Sequence, residues 1–280
     1  MSDVYDAIVV GSDGSETSCR AVQRAALYGQ AMSIPVVVAT AYDRPTEGEV
    51  GPASQRAEMP QQSMVASGYR AATDTAADAA AFGRQAAPKV SLDTTAVEGD
   101  PAEALIDLAT RRGDALIVVG SKGMTGSARF LLGSVPNKVS HHAPGDVLIA
   151  RTNQPGDVAL PARVLIGTDG SKTATRALER GLALSAAVGA ATTVLTAGNG
   201  SRASRVLEDA AGRAEAAGVE VSLVDASGEA ADELLMASED HDLVVVGNKG
   251  MTGAARFLLG SVPNKVSHHI EADLLIVRTT

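Results

Sequence analysis

Residues 120–136 read GSKGMTGSARFLLGSVP, and residues 247–263 read GNKGMTGAARFLLGSVP. Each copy follows an apolar run, Leu116–Val119 or Leu243–Val246, that has the length and β-branched content of a buried strand. Each then leads into a helical pattern opening at Ser134 or Ser261. A strand, a glycine-punctuated loop and a helix start together aim unpaired backbone N–H groups and the positive end of a helix dipole at one point. That geometry suits a phosphate. From Lys122 to His142 and from Lys249 to His269 the copies differ only at Ser127 against Ala254.

Loops ordinarily drift faster than the elements they join, yet here the loop is the part kept. Packing alone tolerates exchange among apolar residues, as Leu116-Ile-Val-Val and Leu243-Val-Val-Val illustrate. A very recent duplication would also leave identical loops, but the flanking strands and the first helices have diverged. The repeat therefore points to a duplicated site.

Working outward, the 280 residues divide into two units. In the first, a buried strand around Ile8-Val9-Val10 stops at Ser12-Asp13-Gly14-Ser15, where Ser15 offers a helix cap. A helix to about Met32 follows, with Val22, Ala26 and Gly29 on its inner face, and then a strand over Pro35–Ala41. Residues 43–62 hold prolines, glycines and charges without period and read as a long loop, a lid or a disordered insertion. A helix from about Ser63 to Ala86, a strand near Val90–Val97 and a helix opening at Gly99-Asp100-Pro101 and running to about Arg112 precede the Leu116 strand. A helix from Ser134 to about His142 and a strand Val147–Ala150 close the unit at residue 151.

Residues 152–161 read as a linker, and residues 162–280 repeat the order. Val164-Leu-Ile166 enters Gly167-Thr168-Asp169-Gly170-Ser171, and further strands are expected at Thr192–Ala197, Val219–Val224, Leu243–Val246 and Leu274–Val277. From Gly11 to Gly120 is 109 residues, and from Gly167 to Gly247 only 80. The second unit lacks the long loop. Strands alternating with helices predict an α/β fold of two tandem doubly wound, Rossmann-like parallel sheets. In such sheets ligands sit beyond the carboxyl ends of the strands, where the strand order reverses. Asp13 and the Gly120 loop both lie at such ends.

Composition removes other classes. Net charge is −9 with no run of Lys or Arg, aromatics are 2% and Trp is absent, so neither the electrostatic footprint nor the stacking platforms of a nucleic-acid binder are present. The single cysteine, Cys19, allows no intrachain disulfide and reads as a small helix residue. No basic leader opens the sequence and no apolar segment approaches a membrane span, so no membrane partner and a cytoplasmic location are expected.

Neither common nucleotide fingerprint fits. The Walker pattern is absent, and Gly198-Asn-Gly-Ser-Arg-Ala203, a Gly-x-Gly-x-x-Ala match, follows the second strand rather than the first and reads as a turn. His141-His142 and His268-His269 are adjacent pairs whose side chains diverge by about 100° on a helix. They read as complements to a helix C-terminus rather than as metal ligands. Arg129-Phe130-Leu131-Leu132 reads as a short amphipathic turn closing the glycine loop.

The pattern Gly-x2-Gly-x9-Gly-Ser occurs at Gly120/Gly123/Gly133/Ser134 and at Gly247/Gly250/Gly260/Ser261. With a strand-end Asp in a βαβαβ unit of this size, it resembles the universal stress protein family, in its ATP-binding branch and in tandem form. The resemblance covers both units apart from the long loop and linker. It implies a five-stranded, adenine nucleotide alpha hydrolase-like sheet in the order 3-2-1-4-5, with ATP across the switch point. Asp13 and Asp169 would then contact the nucleoside, and the backbone at Ala41 and Ala197 the adenine edge. Val119-Gly120 and Val246-Gly247 would flank the ribose. Lys122-Gly123, Gly133-Ser134-Val135 and their copies Lys249-Gly250 and Gly260-Ser261-Val262 would cradle the phosphates, with Mg²⁺ as the default ion on them. The second strands depart from the family pattern by ending in Ala.

Ser134 is expected both to cap its helix and to donate its hydroxyl, whereas a lone loop lysine such as Lys122 is as readily solvated as bound to phosphate. No constellation for an acceptor substrate accompanies the motifs and no base is placed near the phosphate loops, so a regulatory module with at most slow hydrolysis is expected. An ATP-using enzyme on the same fold is the alternative. Each unit would expose an apolar last strand, so the two are expected to pair as an intrachain pseudo-dimer, with a dimer of chains also open and any regulatory protein partner unspecified.

Overall fold

A computed structural model describes residues 4–43, 61–121, 132–152, 157–198, 200–249 and 259–278. Lys122, Gly123, the Arg129–Leu131 turn, Gly250, most of the loop 43–62 and part of the linker 152–161 lie outside the described residues. The first half runs β1 (Ala7–Gly11), α1 (Glu16–Met32), β2 (Val36–Tyr42), α2 (Gln61–Ala86), β3 (Leu92–Glu98), α3 (Pro101–Thr110), β4 (Ala115–Gly120), α4 (Ser134–His142) and β5 (Val147–Ala150). The second runs β6 (Arg163–Gly167), α5 (Lys172–Val188), β7 (Ala191–Ala197), α6 (Ser201–Ala216), β8 (Val221–Ala226), α7 (Ala230–Ala237), a 3-10 turn at Ser238–Asp240, β9 (Leu243–Gly247), α8 (Ser261–His269) and β10 (Asp273–Val277).

Within each half the strands are parallel and ordered 3-2-1-4-5. The halves join where β5 and β10 pair antiparallel, Leu274 opposite Ile149, Leu275 opposite Leu148 and Ile276 opposite Val147. One ten-stranded sheet results. The pairing satisfies the backbone groups of two apolar strands that would otherwise be open edges.

Apolar runs form the inner strands because both faces are covered. Successive side chains alternate in direction, so Ile8, Val10, Val118 and Ile166 enter one core with α1, α2, α5 and α6. Val9, Ile117, Leu165 and Val244 enter the other with α3, α4, α7 and α8. The small residues Ala21, Val22, Ala25 and Ala26 of α1 are fully buried against the first face. Asp100 caps α3, accepting from the N–H groups of Ala102 and Glu103 at 2.9 and 3.0 Å, with Pro101 in the first turn. Boundaries shift by a residue or two from the sequence reading. β2 continues through Tyr42, whose carbonyl accepts from Gly99 N–H at 2.9 Å, and α3 stops at Thr110, where Arg112 N–H tightens back to Ala109 O at 2.9 Å and Gly113 follows at φ +77°.

Candidate functional site

β1 and β4 are parallel neighbours whose chains leave toward opposite sheet faces, α1 on one and α4 on the other. By that topology a crevice belongs beyond Gly11 and Gly120, and an equivalent one beyond Gly167 and Gly247, where β6 and β9 are neighbours. These are the switch points of the two half-sheets.

One wall of each crevice is the turn after the first strand. Ser12 N–H bonds Ala39 O at 2.9 Å, and Thr168 N–H bonds Leu195 O at 2.9 Å, so the chain is held in line with the strand for one more residue. Asp13 Oδ1 then accepts from Ser15 N–H at 3.1 Å and Ser15 Oγ at 2.6 Å, and Asp169 Oδ1 accepts from Ser171 N–H at 2.9 Å. Ser15 and Ser171 cap α1 and α5 through Ser18 N–H (3.2 Å) and Ala174 N–H (3.1 Å). Gly14 and Gly170 have φ of +80° and +71°, a conformation open to glycine at little cost. These bonds fix the orientation of both carboxylates at the crevice mouth, Asp13 exposed and Asp169 half-buried.

The opposite wall is formed by the described ends of the glycine stretch and the helix that follows it. Ser121 N–H bonds Ala150 O at 2.9 Å and Gly133 N–H bonds Ser121 O at 3.0 Å, so the loop leaves and re-enters at one point. Asn248 N–H to Val277 O and Gly260 N–H to Asn248 O, both 2.8 Å, repeat this. Gly133 and Gly260 are the N-caps of α4 and α8, each at φ −62°, ψ 165°, and no side chain caps either helix. This corrects the expectation for Ser134: it is the first helical residue, exposed, and caps nothing. The first-turn N–H groups of Ser134 and Val135, and of Ser261 and Val262, have no partner within their helix, while Pro136 and Pro263 carry none. Each helix thus presents two donors and a serine hydroxyl, whereas α1, α3 and α5 carry side-chain caps.

Val119 and Val246 are buried with their side chains in the second core, so only their backbone lies along the crevice; Gly120 and Gly247 are half-buried. Lys249 is buried at 7% exposure, and its carbonyl accepts from Thr173 Oγ1 at 3.3 Å. Lys122, the lysine whose reading the sequence left open, lies outside the described residues. Ala41 and Ala197 lie half-buried near or at the ends of the second strands.

Three features went unread in the sequence. The Tyr42 and Tyr69 rings meet edge-on, centroids 5.9 Å apart, beside the end of β2 in the first half. Lys138 of α4 bonds Asp100 (3.2 Å) and Glu103 (2.8 Å) of the α3 start, which raises the pKa of the lysine. Backbone donors, first that of Glu103, together with Lys138 hold the Asp100 carboxyl below its ordinary value. Lys265 repeats the tie to Asp232 at 2.6 Å. Lys138 and Lys265 lie in the identical repeat, which was the available signal; their partners lie outside it.

The histidine pairs sit in the last turns of α4 and α8. The His141 and His142 rings are 6.3 Å apart and tilted by 46°, and His268 and His269 Nδ1 lie 2.8 Å from the carbonyls of Asn264 and Lys265. Among the described residues no group of three or more His, Cys, Asp or Glu side chains converges as a metal site. Gly200 is the N-cap of α6, at φ +70°, while Asn199 of the Gly198 stretch lies outside the described residues.

The model of the universal stress protein family matches residues 5–151 and 197–278. A universal stress protein of Mycobacterium tuberculosis is 35% identical over 148 residues, 53% of this chain and 97% of the relative. A second from the same organism is 29% identical over 211 residues, covering 68% of this chain and 70% of the relative. The crystal structure of a universal stress protein from Archaeoglobus fulgidus superposes with a TM-score of 0.70 at 18% identity, covering 99% of both chains. Among the described residues no helix is long and apolar enough to cross a membrane.

Proposed function

The chain belongs to the universal stress protein family, and on that premise we propose that it is a nucleotide-responsive regulatory module holding one ATP in each half. The observation that carries this reading is a duplicated arrangement: an aspartate bonded into the turn after the first strand, and after the fourth a helix whose first-turn N–H groups have no partner within the helix and no side-chain cap, built the same way twice. The phosphates would lie on Gly133-Ser134-Val135 and Gly260-Ser261-Val262, with Lys122-Gly123 and Lys249-Gly250 beside them. Val119-Gly120 and Val246-Gly247 would flank the ribose, Asp13 and Asp169 would accept from nucleoside hydroxyls, and the backbone at Ala41 and Ala197 would read the adenine edge. With no converging metal ligands among the described residues, Mg²⁺ would be carried on the phosphate oxygens.

The regulatory part of the reading follows from what surrounds the phosphate end. Useful turnover needs a positioned base or water-orienting group there. Lys249 is a cation, the Asp13 and Asp169 carboxylates belong to the opposite wall, and Lys138 is tied to Asp100 and Glu103. Equal binding of ground and transition states gives occupancy without rate, so hydrolysis would be slow and would time a bound state in the cytoplasm. The test is steady-state hydrolysis by the full chain. Turnover well below about 1 per second is expected; turnover within the ordinary enzyme range, about 1–1000 per second, and lost in Gly133→Ala/Gly260→Ala protein, would replace the regulator by an enzyme.

A further inference from the structure

At the opposite end of the second half-sheet from its nucleotide crevice lies a cavity of about 1070 Å³, lined from both halves by residues that include Arg24, Arg151, Leu160, Met236, His241 and Asp273. What belongs there can be read from the chain's own internal symmetry. The repeats pair Asp146 with Asp273, Arg180 with Arg24, Arg278 with Arg151 and Tyr5 with Pro161.

On the first side the cluster is complete. The phenol of Tyr5, 3% exposed, donates to Asp146 Oδ2 at 2.8 Å, and its ring lies 4.3 Å from the Arg180 guanidinium carbon. Arg180 Nε pairs with the same Oδ2 at 3.0 Å, and the amide of Arg278 donates to Asp146 Oδ1 at 2.8 Å. On the second side the acid and both arginines are retained. Arg24 pairs with Asp273 Oδ2 at 3.3 Å, and the Arg151 amide donates to Oδ1 at 2.8 Å. No phenol donates to Asp273 as Tyr5 donates to Asp146: Pro161 stands where Tyr5 stands, and the buried Tyr28 hydroxyl, which feels both Asp273 and Arg24, makes no hydrogen bond among the described residues. Asp273 is 3% exposed and its Oδ2 accepts no hydrogen bond among the described residues, whereas Asp146 Oδ2 accepts from Tyr5; the Nε atoms of Arg151 and Arg278 lack an acceptor among them on both sides alike. Buried polar atoms left this way are costly.

We propose that this cavity binds a small hydroxyaromatic molecule, its hydroxyl donating to Asp273 Oδ2 and its ring lying against the Arg24 guanidinium as Tyr5 lies against Arg180. Five carboxylates against three guanidinium groups line the cavity, which disfavours an anion, and Arg24 and Arg151 flank Asp273, which disfavours a cation at that oxygen. A neutral phenol needs no counter-charge and gains the cation–π contact. The volume leaves room for a substituted or fused ring.

The probe is para-cresol, titrated into the full chain while the arginine Nε–H resonances are followed by NMR, with toluene as the ring lacking the hydroxyl. Saturable shifts of the Arg24 and Arg151 resonances are expected, with toluene binding about 10- to 100-fold more weakly, the value of one hydrogen bond to a charged group. Pro161→Tyr should occupy the cavity from within and abolish cresol binding while raising the melting temperature. No saturable shift at either arginine, equal affinity for cresol and toluene, or cresol binding retained in folded Pro161→Tyr protein would each overturn the proposal. The cresol–toluene comparison on the unaltered chain decides the matter even if the variant does not fold.

Discussion

Replacing Gly14 and Gly170 by alanine, one at a time, sets two versions of the same turn against each other. Both glycines have positive φ, +80° and +71°, and alanine in that region costs about 1–2 kcal/mol. The neighbours differ. A Cβ on Gly14 would approach Thr75 Cγ2 to 3.1 Å, whereas one on Gly170 would lie 2.5 Å from Val206 Cγ2 and 3.5 Å from Val206 Cβ. The first contact is relieved by a few tenths of an ångström. The second, against a stiff β-branched side chain, requires α6 or the turn to move and adds an overpacking penalty of about 1–3 kcal/mol. Gly14→Ala should therefore cost about 1–2 kcal/mol and Gly170→Ala about 2–5 kcal/mol. With no Trp in the chain, urea unfolding followed by circular dichroism is the assay. Equal losses for the two variants, or a loss below about 1 kcal/mol for Gly170→Ala, would refute the reasoning from the turn's geometry.

Tyr5→Phe removes the phenol donor from buried Asp146 and should cost about 1.5–3 kcal/mol, read from the urea midpoint; an unchanged midpoint would mean that Arg180 and the Arg278 amide suffice for that carboxylate. His141 titrates below its ordinary value, chiefly through burial and then through His142. Its folded state favours the neutral ring, so its contribution to stability is present above the unfolded value of about 6.5 and is lost as pH falls through the folded one. His141→Gln should lessen the drop in urea midpoint between pH 7.5 and pH 5.5, and a drop of unaltered size would count against the assignment.

The fold was legible because its signals are short-range. Four-residue apolar runs, a capping serine after each first strand and Pro101 in a first turn each state an element locally, and the repeat states the architecture twice. The walls of the crevices were legible for the same reason, since Asp13-Gly14-Ser15 and Gly133-Ser134 are contiguous motifs. Ser134 was misassigned as a cap because a serine at a helix start reads as one, while the backbone places Gly133 there instead. Contacts between distant segments left no local trace. Tyr42 and Tyr69 meet across a long insertion, Lys138 reaches Asp100 on another helix, and Arg24 reaches Asp273 across the joint between the halves. The substitution of Pro161 for Tyr5 was present in the alignment of the two halves, but it acquires meaning only once Asp146 and Asp273 are seen in equivalent places.

The central claim, one ATP per half, is tested most directly by native mass spectrometry of the full chain with Mg²⁺ and saturating ATP, beside Gly133→Ala and Gly260→Ala. Both glycines sit at φ −62°, which alanine adopts without backbone strain, and the melting temperature of each ligand-free variant separates a change in occupancy from a change in the fold. Two nucleotides on the parent chain and one on each variant are the expected masses. A parent chain that carries none, or variants that both carry two, would contradict the account.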